Sequence, residues 1–501
     1  MRLNRLSVGL LGVVAVAACS TDLTSINKNP NSPTTAPATA LFTNATVSSI
    51  STFQGSFNSL SMTELFAQHI AQIQYIDEDR GHIRPTTLDA LWSGLYSGSL
   101  KDLQQVIVMS DSAKQANTAG AARVMQSWIF QNLTDLWGEV PYSKALQGEK
   151  AGAAFSPTYD TQKDIYYGLL ATLTKASTDM KAGTTANDPG LGSADPIFKG
   201  NSALWVKFAN SLRARLALRM SKADPAKAAT ELTAAIAGGL MTSNTDNALL
   251  AYPGDGVYNN PWASNFNSRD DHRMAKTLVD TMVKLNDPRL PIYAQPTVAD
   301  PTKYAGMQNG LDNTFTATYF NTTSRPGVIF YPGKTAYGTF GTSAGNKTPS
   351  YVMTFAEVSF IEAECAEKGL GGLTPAQAAG FYNAGVTASI QQWGGTAAQA
   401  ATYLAQPGVA YVPGATGLQQ IGLQKWISLF TQGNEAWSEW RRTGNPASIV
   451  PGPSMYADVG PIVPRRLLYP SGEQASNATA LTAAIADQGA DKQSTRVWWD
   501  K

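Results

Sequence analysis

The sequence predicts a mainly α-helical protein, a scaffold of helix pairs carrying long, loop-rich insertions. Three observations point there. Apolar residues recur at spacings of three, four and seven through most of the chain, the mark of helices with one buried stripe. Those runs stop at Gly or Pro. Between them, the segments near 241–272, 296–350 and 451–501 are rich in Gly, Asn, Thr, Tyr and Pro and lack helical period. A helical scaffold with long irregular insertions usually carries its function on the insertions.

The chain opens on a basic start (Arg2, Arg5) and an apolar run that ends at Cys19. That run is too short to span a bilayer, which needs roughly 20 apolar residues. It reads as a secretory signal peptide over residues 1–18. The ending Val16-Ala17-Ala18-Cys19 resembles a bacterial lipobox, so Cys19 is the expected lipidation site. Residues 19–40, rich in Ser, Thr, Asn and Pro, are expected to form a flexible tether. Residues 41–501 are then a single domain.

Within that domain, Ala121–Trp137 places Val124, Met125, Trp128, Ile129, Leu133 and Leu136 on one stripe and stops at Gly138. Residues 203–220 repeat the pattern with Trp205, Phe208, Leu212 and Leu216. Arg213, Arg215, Arg219 and Lys222 crowd the C-terminal half of that helix, where cations suit the dipole. Asp224-Pro225 opens a further helix with proline at its first position. Asp164–Met180, Arg273–Leu285, Tyr351–Lys368, Pro375–Trp393 and Gly417–Arg442 are also expected to be helical, with a short helix near Ala478–Ala486. The unit Ala356–Lys368, turn, Pro375–Ile390 has about the length of a TPR repeat.

Composition narrows the partners. The net charge is +1 and only 15% of residues are charged, so the basic face that nucleic acid demands is missing. Three widely spaced histidines (His69, His82, His272) and two cysteines, with no HExxH or CxxC spacing, give a transition-metal site no support. Cys365, the cysteine left after lipidation, lies in a helical run and reads as a small buried hydrophobe. Plentiful Trp and Tyr beside Asn, Gln, Ser and Thr suit neutral polar ligands such as sugars.

The order of several segments resembles the SusD/RagB family of outer-membrane nutrient-binding lipoproteins, specifically its SusD-like branch. The matching stretches include Thr21–Pro33, Trp92–Leu103, Ala121–Leu146, Tyr159–Tyr166, Asp195–Ser221, Asn286–Pro296, Met353–Gly369, Gln424–Pro446 and Arg496–Asp500. The resemblance implies a SusD-like fold, with TPR-like helix pairs packed against a loop-rich ligand-binding portion. It also implies a non-catalytic protein, without cofactor, on the outer face of the outer membrane. There it would act as the lid of a SusC-like TonB-dependent transporter, capturing glycans or peptides. Ser20 is not the aspartate that commonly retains lipoproteins at the inner membrane, in agreement with that location.

The remaining constellations are weaker. Gly341-Thr342-Ser343-Ala344-Gly345 matches GxSxG, but a nucleophile elbow needs a strand before the serine and a helix after it. Asp77-Glu78-Asp79 and Asp270-Asp271 are acidic groups that a surface hydrolase could use, given a facing pair about 5–9 Å apart; solvated loop acids are the simpler reading. A periplasmic TPR-like scaffold without a small ligand is the other rival. Trp92, Trp128, Trp205, Trp426, Trp437, Trp440, Trp498 and Trp499 read as core packing. Rings in the insertions are the better ligand candidates. In Tyr258–Arg269, the rings of Tyr258, Trp262 and Phe266 alternate with amides such as Asn265 and end on Arg269. Phe330, Tyr331 and Tyr337 form a second loop, and Tyr75, near Gln72 and Gln74, closes a third side.

Overall fold

A computed structural model describes residues 36–150, 152, 155–183, 188, 190–313, 317–331 and 344–501. These are mainly helical. The principal helices run α1 (Ala38–Phe53), α2 (Pro85–Gly94), α3 (Lys101–Ser112), α4 (Ala116–Trp137), α5 (Gln162–Ala182), α6 (Ser202–Arg219) and α7 (Pro225–Gly238). After a loop-rich stretch come α8 (Phe355–Glu367), α9 (Pro375–Gln392), α10 (Ala397–Leu404), α11 (Ala415–Ser428), α12 (Gly433–Thr443) and α13 (Ala478–Gln488).

Local chemistry sets many of these starts. The Asn201 carboxamide oxygen accepts from Ala203 N and Leu204 N, and the Asp224 carboxylate from Lys227 N ahead of Pro225. Thr374 with Gln377 and Thr396 with Gln399 form capping boxes at α9 and α10. Neighbours in sequence pack side by side: α4 with α5, α5 with α6, α6 with α7, and α8 with α9. Gly385 shows how close the last pair lies, since a Cβ there would come 2.9 Å from the Phe360 ring.

Among the described residues, four short strands form two ribbons. β1 (Ile70–Gln72) pairs antiparallel with β3 (His272–Met274), and β2 (Ala248–Leu250) with β4 (Ser350–Met353). Each ribbon stitches a loop-rich insertion to the scaffold. Among the described residues, no helix is long and apolar enough to cross a membrane.

A buried ion network joins α4, α6, α8, α11 and α12. Arg215 holds Glu357 at 2.6 Å, and Arg219 pairs with both Asp135 and Glu435. Arg442 meets Glu364 at 2.6 Å and Glu439 at 2.8 Å, while Lys425 reaches Glu439 at 3.0 Å. Burial alone would raise the Glu439 and Glu364 carboxyls. Arg442 overrides it, holding Glu439 well below the usual range and Glu364 at about 2. Arg215 and Arg219 therefore serve this network, not an exposed helix end.

Three expected boundaries differ. The stretch 351–368 begins as β4, because Ser350–Met353 pairs with β2 and the Thr354 hydroxyl then caps α8. The stretch 273–285 begins as β3, and its helix starts at Lys276. The stretch 417–442 is two helices, broken where Thr431 takes a left-handed φ of +77°. There Gly433 presses on the 63–64 backbone so closely that a Cβ would lie 2.6 Å from Thr63 Oγ1. The helix α1 begins at Ala38, inside the segment expected as tether. Cys19 lies outside the described residues.

Candidate functional site

The three loop-rich insertions converge on one segment, residues 70–84. From the first, β3 pairs with β1, and Asp271 O accepts from Ile73 N at 2.8 Å. From the second, Asn309 Nδ2 donates to Ile70 O at 2.8 Å and to Asp79 Oδ1 at 2.7 Å, and Gly310 N donates to Asp79 Oδ2 at 3.1 Å. From the third, Tyr456 N donates to Arg80 O at 3.1 Å, and Gln493 Nε2 to Gly81 O at 2.8 Å. Arg80 Nε returns a hydrogen bond to Ser454 O at 2.6 Å. Asp79 is the buried pin of this assembly. Burial pushes its carboxyl up to about 7 despite the donors around it.

Outside this pin, rings and guanidinium groups alternate. Tyr75 is 66% exposed and has a left-handed φ of +53°. The Arg269 guanidinium lies 5.0 Å from its ring centroid and is ion-paired with Asp271. Phe57, on the wide helical turn Ser56–Thr63, is 59% exposed. Arg84 sits 5.7 Å from its centroid and is held by Glu78 at 2.6 Å. Arg80 lies 4.1 Å over the half-buried Tyr456 ring, whose hydroxyl donates to Asp77. Three rings thus stand around one segment, each faced by an arginine.

This arrangement corrects part of the sequence reading. Trp262 is only 2% exposed, and Phe266 and Tyr331 are fully buried. The reason is local. Pro261–Phe266 is a helix, capped by the Asn260 carboxamide, and positions 262 and 266 share its inner face. There Trp262 packs 5.2 Å from Phe330 and 5.6 Å from Phe430, and Phe266 packs 5.0 Å from Tyr331. These three rings belong to the core and are not available to stack on a ligand from solvent. Asn265 is half-buried, and Arg269, past the end of this helix, is exposed. Tyr258 is 60% exposed on a separate turn, where the Asp255 carboxylate accepts from Tyr258 N at 2.8 Å. Tyr337 and Ser343 lie outside the described residues.

The acidic candidates are committed elsewhere. Asp270 is buried between Arg273 and Arg325, each at 2.9 Å, and accepts from the Tyr331 hydroxyl. Burial would raise its carboxyl, but Arg325 and Arg273 hold it below the usual range. Glu78 serves Arg84, and Asp79 is the pin described above. Of the tryptophans expected in the core, Trp92, Trp128, Trp205, Trp426, Trp437 and Trp499 are buried, and Trp440 and Trp498 are half-buried against it. Burial pushes the Cys365 thiol up to about 12, in keeping with an inert packing role. Among the described residues, no cluster of three metal-ligating side chains occurs. Phe57 and Tyr456 had no signal in the sequence, because neither lies in a motif and only the folded chain brings them to residues 75–84.

The profile of the SusD-like family, described as starch-binding and associating with the outer membrane, matches residues 30–470. A SusD homologue from Bacteroides uniformis is 25% identical, with a TM-score of 0.79, and the match covers 93% of this chain and 100% of that one. A chitin-binding SusD homologue from Flavobacterium johnsoniae is 26% identical, with a TM-score of 0.78 over 92% and 97% of the two chains. A SusD-like protein from Bacteroides thetaiotaomicron is 25% identical, with a TM-score of 0.77 over 92% and 98%. No curated protein matches the chain.

Proposed function

The chain belongs to the SusD-like family, and from that premise we propose that it is a non-catalytic, cell-surface nutrient-binding lipoprotein. It captures a glycan and passes it to a SusC-like TonB-dependent transporter in the outer membrane. Lipidated Cys19 anchors it there. The observation that carries the binding role is the trio Phe57, Tyr75 and Tyr456, three rings with paired arginines around residues 75–84. A sugar presents a C–H face that packs on such rings and edge hydroxyls that bond guanidinium and carboxylate groups. Arg84 and Arg269, each beside one of these rings and about half exposed, offer N–H donors to sugar hydroxyls. The chitin-binding relative supports a glycan over a peptide. Asp270, locked between two arginines, is poorly placed to act as a hydrolytic acid, which supports the non-catalytic reading.

Calorimetric titration of the detergent-solubilised protein with a panel of malto- and chito-oligosaccharides and short peptides tests this. At least one oligosaccharide should bind saturably and be recovered intact. Binding of peptides alone would replace the ligand, and turnover of any glycan would return the hydrolase reading. Pull-down from outer membranes should bring a TonB-dependent barrel with it.

A further inference from the structure

Away from the ring-bearing face, two adjoining cavities run along one side of α9. The larger, of about 770 Å³, lies between α9, α8 and the chain that follows α7. The smaller, of about 380 Å³, shares Phe355 and Ala384 with it. Gln377, Gly380, Phe381, Ala384, Thr387 and Gln391 line them in turn, at helical spacings of three and four. One face of α9 is therefore a continuous floor, about 20 Å long at 1.5 Å per residue.

The walls are unequal. Ile236, Leu240 and Met241 make one of them apolar. From α8, Phe355, Ser359 and Glu362 line the same space one turn apart. Ser359 is buried, and its hydroxyl has no hydrogen-bond partner. An orphan of this kind is destabilising unless something fills it. No described residue pairs with the Glu362 carboxyl, and burial pushes it up to about 7. Lys207, the cation in the lining, is already held by Asp246 at 2.7 Å. The groove thus sets an unneutralised carboxyl and an unsatisfied hydroxyl beside an apolar wall.

We infer that this groove binds an extended, lysine-bearing peptide segment of a partner protein, with the lysine stem along Ile236, Met241 and Phe381 and its ammonium on Glu362 and Ser359. Charge complementarity selects the ammonium. The adjoining cavity selects a peptide over a lone amine, because the exposed Asn383 and Gln391 there offer amides to a backbone. At about 3.3 Å per residue, the floor accommodates about six extended residues. This site is independent of the glycan reading.

The probe is a six-residue alanine peptide with one central lysine, titrated into the full-length protein at pH 8, where Glu362 is ionised. Its norleucine counterpart is the control. The lysine peptide should bind about tenfold tighter, the scale of one charge-assisted hydrogen bond. Glu362→Gln should remove the difference. Gly380→Leu should abolish binding without lowering the melting temperature, since a Cβ at Gly380 meets nothing within 4 Å. Oligosaccharide affinity should be unchanged in both variants. Absence of binding at millimolar peptide, equal affinity for the two peptides, or a lysine preference that survives Glu362→Gln would each overturn the inference. So would undiminished binding to Gly380→Leu. Hexylammonium binding as tightly as the peptide would replace it with a site for small amines.

Discussion

Tyr75 keeps a left-handed backbone that costs a bulky residue energy, and it exposes its ring at the same point. Strain held at an exposed aromatic is a reason to assign it a ligand. Tyr75→Ala and Phe57→Ala should each weaken oligosaccharide binding by about 1 kcal/mol, the scale of one aromatic contact, with little change in melting temperature. Trp262 should behave in the opposite way. Its ring is packed against Phe330 and Phe430, so Trp262→Ala should cost roughly 3–5 kcal/mol of stability. Thermal melting would show the loss, and affinity measured below the transition should be kept. Asp79 yields a pH dependence. Burial lifts its carboxyl from 3.8 to about 7, so the folded chain keeps a proton that the unfolded chain gives up. Its stabilising contribution is full below about pH 4 and is lost as pH rises through about 7. Between pH 5 and 8, Asp79→Asn should therefore lose less melting temperature than the parent.

Elements show what the sequence discloses and what it conceals. Although a single stripe was not the outcome for α4 and α6, both being buried on nearly every face, their extents were legible because helical period and end signals agree. The β4–α8 boundary and the α11–α12 break were not, because strand pairing and the close contact of Gly433 with the 63–64 backbone override a continuous helical pattern. Arg215 and Arg219 looked like residues suited to a helix end, since nothing local announces Glu357, Asp135 or Glu435 far along the chain. In the candidate site, Tyr75 and Arg269 were legible as a ring and a guanidinium in irregular chain. The helical turn that buries Trp262 was not, because six residues are too few to display a period. The ion network makes its own prediction. Arg442 neutralises both Glu364 and Glu439, so Arg442→Leu leaves buried carboxylates short of a cation and should cost roughly 3–5 kcal/mol. The Glu364 carboxyl, held at about 2, contributes stability above its ordinary 4.5 that is lost as pH falls toward 2. In Arg442→Leu the acid unfolding midpoint should move to higher pH.

At the scale of the whole molecule, the helical scaffold fixes where three distant insertions meet. Segments 241–272, 296–350 and 451–501 each place a hydrogen bond or a strand on residues 70–84, so this one segment is held by three distant parts of the chain. The α8–α9 groove is built from separate elements, so the two proposed sites share no residue. In the proposed anchored form, the length of the N-terminal segment would set how far the body can move from the membrane. Residues 20–37, between Cys19 and α1, can span at most roughly 60 Å when fully extended. With Cys19 lipidated and a transporter as partner, as proposed, that reach would let the body tilt while the acyl chains stay in the membrane, where two or more chains hold firmly and one is marginal. On that reading, anchoring and binding would reside in different parts of the protein. Cys19→Ala should move the protein from the outer-membrane fraction to a soluble fraction while its oligosaccharide affinity stays within about twofold of the anchored form. Fractionation followed by calorimetry measures both, and a parallel loss of affinity would mean that the anchor also shapes the binding face.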